Sequence, residues 1–232
     1  MKRLNPTLFL YSVILCLAAF GAIGCNSSSG SGVIAGSNTL PEGTTVDATY
    51  RVVFDATWSM ATHPDIPGGP HFSPLIGAVH KSSIKFWEPG TEASDGVELM
   101  AETGSPATLA QEVRNAITDG TAGTVLSGSG TNSPGSASIT FEISEDFPLI
   151  TLVTMIAPSP DWFTGIRDID LREDGEWVAS KSFDLFAYDA GTDSGETFNA
   201  ANDDTQPPEV ITRLETGSFR DNPVGTFTFT RM

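Results

Sequence analysis

The stretch "FPLITLVTMIAPSPDWFTG", Phe147 to Gly165, holds one of the longest apolar runs outside the N-terminus. In "LITLVTMIA", β-branched and large aliphatic residues fall at odd and even positions alike. A strand with one wet face alternates apolar and polar residues. A strand apolar on both faces suits the centre of a sandwich core. Pro158 and Pro160 then stop the ladder, because proline has no N–H to give it. Asp161 and Trp162 follow directly, which puts a carboxylate and a large aromatic ring at the loop edge of that core.

Strands surround this one in the sequence. "ATYRVVFDATW" (48–58) is rich in β-branched and aromatic residues. "SSIKFW" (82–87) reads as a short strand ending at the Pro89-Gly90 turn. "SASITFEI" (136–143) alternates through Ile139, Phe141 and Ile143. Asp174-Gly175 lies between two strand-like runs, a hairpin signal. "SFDLFAY" (182–188) is a further strand, and "VGTFTFTRM" (224–232) alternates Phe227 and Phe229 with threonines. One segment, "SPATLAQEVRNAITDG" (105–120), reads as a helix. Ser105 is placed to cap it, Pro106 to take its first position and Gly120 to end it. Leu109, Val113 and Ile117 form its apolar stripe. Many short strands and one short helix predict an all-β antiparallel β-sandwich.

A chain of 232 residues, 39% hydrophobic, is long enough for one domain with a real core. Its formal net charge of -17 repels phosphate backbones, so nucleic acid is not an expected partner. Acidic excess suits cation binding, or simply solubility. At the N-terminus, Lys2 and Arg3 precede the apolar "LFLYSVILCLAAFGAIG", and Cys25 follows. This reads as a signal peptide over 1–24 and resembles a bacterial lipoprotein signal, with Cys25 as the lipidated residue. Ala22-Ile23-Gly24 also fits an ordinary secretory cleavage site, and either route exports the chain. The apolar run is short for a transmembrane anchor. Once Cys16 leaves and Cys25 carries lipid, no thiol remains for a disulfide or a metal site. Residues 25–45 form a Gly/Ser-rich tether behind the lipidated cysteine, and the folded domain is expected over 46–232.

Three constellations could carry chemistry. Asp161 follows the central strand, while Asp189 and Asp193 bracket Gly191 in "YDAGTDSGETF". Carboxylates on a flexible loop, with backbone carbonyls, can wrap a hard cation such as Ca²⁺; the alternative is a solvated acidic loop. "THPDIPGGPHFSPLIGAVH" carries His63, His71 and His80, expected in a long ordered loop. Three histidines in an exported chain suggest zinc and a metal-dependent hydrolase, yet their spacing fits no short zinc motif. Histidines bonded to loop carbonyls are the other reading. Asp193-Ser194-Gly195 is the tripeptide of aspartic proteases, but it has no second copy and lacks apolar flanks. No Gly-x-Ser-x-Gly, P-loop or His-Glu-x-x-His motif occurs.

Five blocks, "ATYRVVFDATWS", "THPDIPGGPHFSPLIGAVH", "SPDWFTGI", "DGEWV" and "DAGTDSGETF", occur in one order that resembles the spondin N-terminal (F-spondin) domain family. The resemblance covers roughly Ala48 to Met232. It implies a C2-like β-sandwich, a non-enzymatic adhesion or ligand-binding role, and calcium or another divalent cation at one end. It implies Asp161, Asp189 and Asp193 as metal ligands, with Glu142 of "ITFEIS" as a further acid of the metal end. Trp162 becomes a packing or rim residue there. Animal members carry disulfides and flanking domains such as thrombospondin repeats, which this chain lacks, so their matrix partners do not carry over. The tether and its lipid, a departure from the animal members, imply a domain held at a bacterial envelope, outer membrane or cell surface. Its partner there is an unidentified protein or glycan.

Overall fold

The computed structural model describes residues 38–232. The signal peptide, Cys25 and most of the expected tether lie outside the described residues. In chain order come β1 (Ala48–Ala56), β2 (His71–Phe72) and β3 (Ile76–His80), then helices α1 (Asp95–Thr103) and α2 (Ala107–Thr118). There follow β4 (Ala122–Ser127), β5 (Thr131–Asn132), β6 (Gly135–Ile143), β7 (Leu149–Ala157) and β8 (Trp162–Asp170). The chain closes through β9 (Arg172–Glu173), β10 (Glu176–Trp177), β11 (Ser180–Leu185), β12 (Ala187–Asp189), β13 (Thr212–Arg213) and β14 (Gly225–Arg231). All inter-strand pairings between these strands are antiparallel.

Two sheets form the sandwich. One has the order β11-β14-β1-β6; the other runs β13-β12-β8-β7-β2-β5, with β3 and β4 joined to it through β7. Between them lies a core built from alternate residues of each strand. Tyr50, Val52, Phe54, Phe141, Phe227 and Phe229 come from the smaller sheet, and Phe72, Ile150, Leu152, Ile156 and Ile166 from the larger. Alternation follows from the two-residue period of a strand, which sends neighbouring side chains to opposite faces.

β7 is apolar on both faces for a reason beyond the sandwich. Its other face, Val153, Met155 and Ala157, belongs to a second core under the two helices, with Val97, Met100, Leu109 and Val113. The helices thus form a third layer on the outer side of the larger sheet. Two helices, not one, were needed to cover it. "DGVELMAET" became α1 because Ser94 caps it by accepting the Val97 N–H, and Gly104 ends it at φ 72. Glu112 of α2 reinforces that start, accepting from Gly96 N at 2.7 Å and from the Ser94 hydroxyl at 2.8 Å. α2 itself has no side-chain cap, so Ser105 does not act as expected, and Pro106 precedes the first helical residue. Gly120 follows its end at φ 70.

Three further expectations are corrected. "SSIKFW" is not a strand; Phe86 and Trp87 pack into the helix-side core from a loop. "SFDLFAY" is split at Phe186: β11 belongs to the smaller sheet and β12 to the larger, so this segment crosses the sandwich. The fold also starts before residue 46. Leu40 is 9% exposed against the core, and the Asn38 side chain pairs with both the N–H and the carbonyl of Ser127. The hairpin at Asp174-Gly175 is present, both residues having positive φ as a tight turn of primed type requires. Among the described residues no helix is long and apolar enough to cross a membrane.

Candidate functional site

β8 starts where β7 ends, after the turn 158–161, and β12 pairs with β8 so that Asp189 stands opposite Trp162. β7 and β12 flank β8 and run the same way, so the loops after them meet at one pole. The turn is held by Ser159, whose hydroxyl accepts the Trp162 N–H at 3.1 Å and donates to the Ile156 carbonyl at 2.5 Å. Gly191 has φ 77, and a Cβ there would lie 2.5 Å from the Glu209 carbonyl oxygen. Only glycine fits that close approach of the 189–195 loop to the 203–209 segment.

Asp161 is fully buried, and its Oδ2 accepts from Thr192 N at 2.8 Å and Asp193 N at 3.1 Å. Its Oδ1 is buried without a hydrogen-bond partner. Asp189 accepts from Gly191 N at 2.8 Å and from the Trp162 indole N–H at 3.2 Å. Asp193, 6% exposed, accepts from Gly195 N at 2.7 Å and Asp203 N at 3.2 Å. The carboxylates therefore organise the loop by taking its free N–H groups. Trp162 is a packing residue with a polar handle: it is 6% exposed, and its ring meets the edges of Phe198 and Phe219 at 5.3 and 5.5 Å.

The pole is electrostatically strained. Burial raises the Asp161 pKa, outweighing its backbone hydrogen bonds. Burial, then the Asp161 charge, push Asp189 up to about 6. A further acid belongs to this neighbourhood. Burial raises the Glu102 pKa, opposed by its bond with Thr192 and helped by Glu98, Asp161 and Asp193. Glu102 lies on α1, which the sequence did not reveal as a helix, so nothing tied it to the pole.

Glu142 does not belong to this pole. Ala56 pairs with Gly135 and Thr49 with Glu142, so these two residues of β6 lie toward opposite ends of β1. Trp58, just past β1, meets Phe198 at 5.5 Å, which puts the Gly135 end beside Trp162. Glu142 is thus roughly 23 Å further along the strand. Its carboxylate instead accepts the Leu40 N–H at 3.1 Å.

The histidines are also apart. His71 pairs with Ala157 and His80 with Leu149, near opposite ends of β7. His80 lies in β3, not in a loop, and is fully buried, bonded to the Lys81 carbonyl and the Thr151 hydroxyl. His63 bonds Thr62 and the Asn222 carbonyl, and His71 the Gly69 carbonyl. Each has a local structural partner, and the geometry offers no three-histidine zinc site. Among the described residues no three His, Cys, Asp or Glu side chains stand close enough to grip an ion as they are. The acidic pole nonetheless presents oxygen donors alone, one of them orphaned and buried, which is donor chemistry suited to a hard cation.

Beside Asp189 and Asp193 the surface opens into a cleft of about 490 Å³ with Trp162, Leu214 and Phe219 among its lining residues. Nothing in the sequence pointed to it, because the 214–219 segment reaches it from far along the chain.

The Spondin_N family model matches residues 48–229. Spondin-1 of Gallus gallus is 37% identical over 177 residues, 72% of this chain and 22% of that protein. Spondin-2 of Homo sapiens is 32% identical over 200 residues, 80% of this chain and 57% of that protein. The chain thus spans less than two thirds of the length of either relative.

Proposed function

The chain belongs to the Spondin_N family, and on that premise we propose that it is a non-enzymatic, extracytoplasmic ligand-binding or adhesion domain whose acidic pole takes Ca²⁺. The observation that carries the cation is the fully buried Asp161 with its orphaned Oδ1, next to two more carboxylates. Burying charge without a counter-charge is costly. A divalent ion would offset the burial, and then the Asp161 charge, that together raise Asp189. Asp161, Asp189 and Asp193 would hold it, with carbonyls of the 189–195 loop and water completing the oxygen shell. The loop would exchange some of its N–H bonds to carboxylate for bonds to the ion. Trp162 would wall off one side from solvent. Glu142 is not part of this proposal.

Lipidation of Cys25 would hold the domain at a bacterial envelope. The strap Asn38–Leu40 docks beside Glu142, at the end remote from Asp161. The domain's ligand at that envelope would be a protein or glycan. A cation binding only the native state stabilises it by about 2.7 kcal/mol at a hundredfold excess over Kd. For a domain of this size that raises Tm by about 5–10 °C. Thermal unfolding of the full chain in detergent, with and without Ca²⁺, tests this. Asp189→Ala is expected to abolish the rise; an unchanged rise in the variant would remove Asp189 from the site.

A further inference from the structure

The cleft beside the acidic pole has two kinds of wall. Part-buried Leu214 and the edge of the nearly buried Trp162 give it a narrow apolar strip; Asp189, Asp193, Glu196 and Glu209 give it carboxylates, and serines and threonines of 194–218 complete the wall. Among the described residues, no basic side chain lines it. Glu196 and Glu209 are exposed, so their charges stand on the open side. Behind the Asp193 wall sits the buried Asp161, whose Oδ1 has no partner and whose Oδ2 holds Asp193 N. An apolar strip under an acidic rim matches one side-chain chemistry: an alkyl stem that ends in a cation. The formal net charge of -17 adds long-range attraction for basic partners.

We propose that this cleft receives a lysine or arginine side chain presented by a partner polypeptide. The stem lies along Leu214 and the open edge of Trp162, and the cationic head meets Glu196 and Glu209 at the rim. This rests on reading the pole as the ligand-binding end, but it does not require the cation. Glu196 and Glu209 are not among the residues assigned to Ca²⁺.

The test titrates hexalysine into the full chain in detergent, with EDTA present, at low and moderate salt. Three proteins are compared: the wild type, Glu196→Gln/Glu209→Gln, and Glu145→Gln/Glu176→Gln, which removes the same charge from two exposed acids elsewhere. Saturable binding is expected, weakened about three- to tenfold in the first double variant, as two exposed carboxylates would allow. The second variant is expected to bind like the wild type, and ε-acetylated hexalysine not to bind. Equal loss in both variants would reduce the effect to bulk charge and overturn the proposal; so would absence of saturable binding. A separate Ca²⁺ titration of Glu196→Gln/Glu209→Gln is expected to keep saturable one-site binding, at an affinity lowered only by the lost charge of Glu209 near Asp189. Failure of the hexalysine test alone therefore leaves the cation standing, and failure of Ca²⁺ alone leaves the cleft.

Discussion

Asp189 carries the sharpest pH dependence of the acidic pole. Its native pKa is raised to about 6, against an ordinary carboxylate value of 3.8. The folded state therefore holds the proton more tightly than the unfolded chain. Without a cation, the contribution of Asp189 to stability grows as pH falls from about 6 toward 3.8. Ca²⁺ competes with that proton, so affinity is expected to fall as pH drops through this range; calorimetric titrations between pH 7.5 and 5 measure it. Asp189→Asn should remove both effects. His80 acts in the opposite sense. Burial lowers its native pKa below 6.5, so the unfolded chain takes the proton first. Stability is lost as pH falls below 6.5 toward that lower value. Chemical unfolding of His80→Gln across the same pH range should show a shallower acid loss. At this scale the sequence was legible where a residue's role depends on its immediate neighbours. Asp161, Asp189 and Asp193 could be picked out from "SPDW" and "DAGTD". Glu142 could not be placed correctly, because an acid in an alternating strand gives its face and not which end of the sandwich it serves. Glu102 needed a helix that the sequence hid.

At the scale of elements, the strands with strong alternation were readable: β1, β6 and β14 follow their patterns closely. β7 was readable as a central strand, but the cause of its two apolar faces was only half visible. The second face exists because α1 and α2 cover it, and α1 carries only four buried residues, one of them Gly96. A stripe so thin leaves little periodic signal. β3 was missed because "IGAVH" is short and buried at every position. Its glycine is there for space: a Cβ on Gly77 would lie 1.9 Å from the Thr151 carbonyl oxygen and 2.8 Å from Leu152 Cα. Neither atom can retreat without moving β7. Gly77→Ala is expected to destabilise the fold by about 2–3 kcal/mol or more, read from urea unfolding. The helical layer can be weighed in the same way. Met100→Ala, in the core between α1 and the larger sheet, is expected to cost about 2–5 kcal/mol.

The folded domain is a sandwich with two unlike ends. At one end the strap Asn38–Leu40 lies against β4 and β6; at the other, three buried or part-buried aspartates organise the loop over Trp162. The sequence made the antiparallel sandwich legible, because alternation and turn residues are local signals. It did not disclose the strap, which looks like tether by composition yet gains a partner in Glu142, 102 residues away. If the two ends are energetically separate, Leu40→Ala should lower stability by about 2 kcal/mol and leave Ca²⁺ affinity unchanged. The separation matters only if the acidic pole binds a cation at all. Calorimetric titration of Ca²⁺ into the chelator-treated full chain, beside Asp161→Asn, decides this most directly. The expected result is saturable one-site binding in the wild type that is lost in the variant. No binding in the wild type, or equal binding in both, would contradict a cation held by Asp161 and leave its carboxylate as the internal brace of the loop.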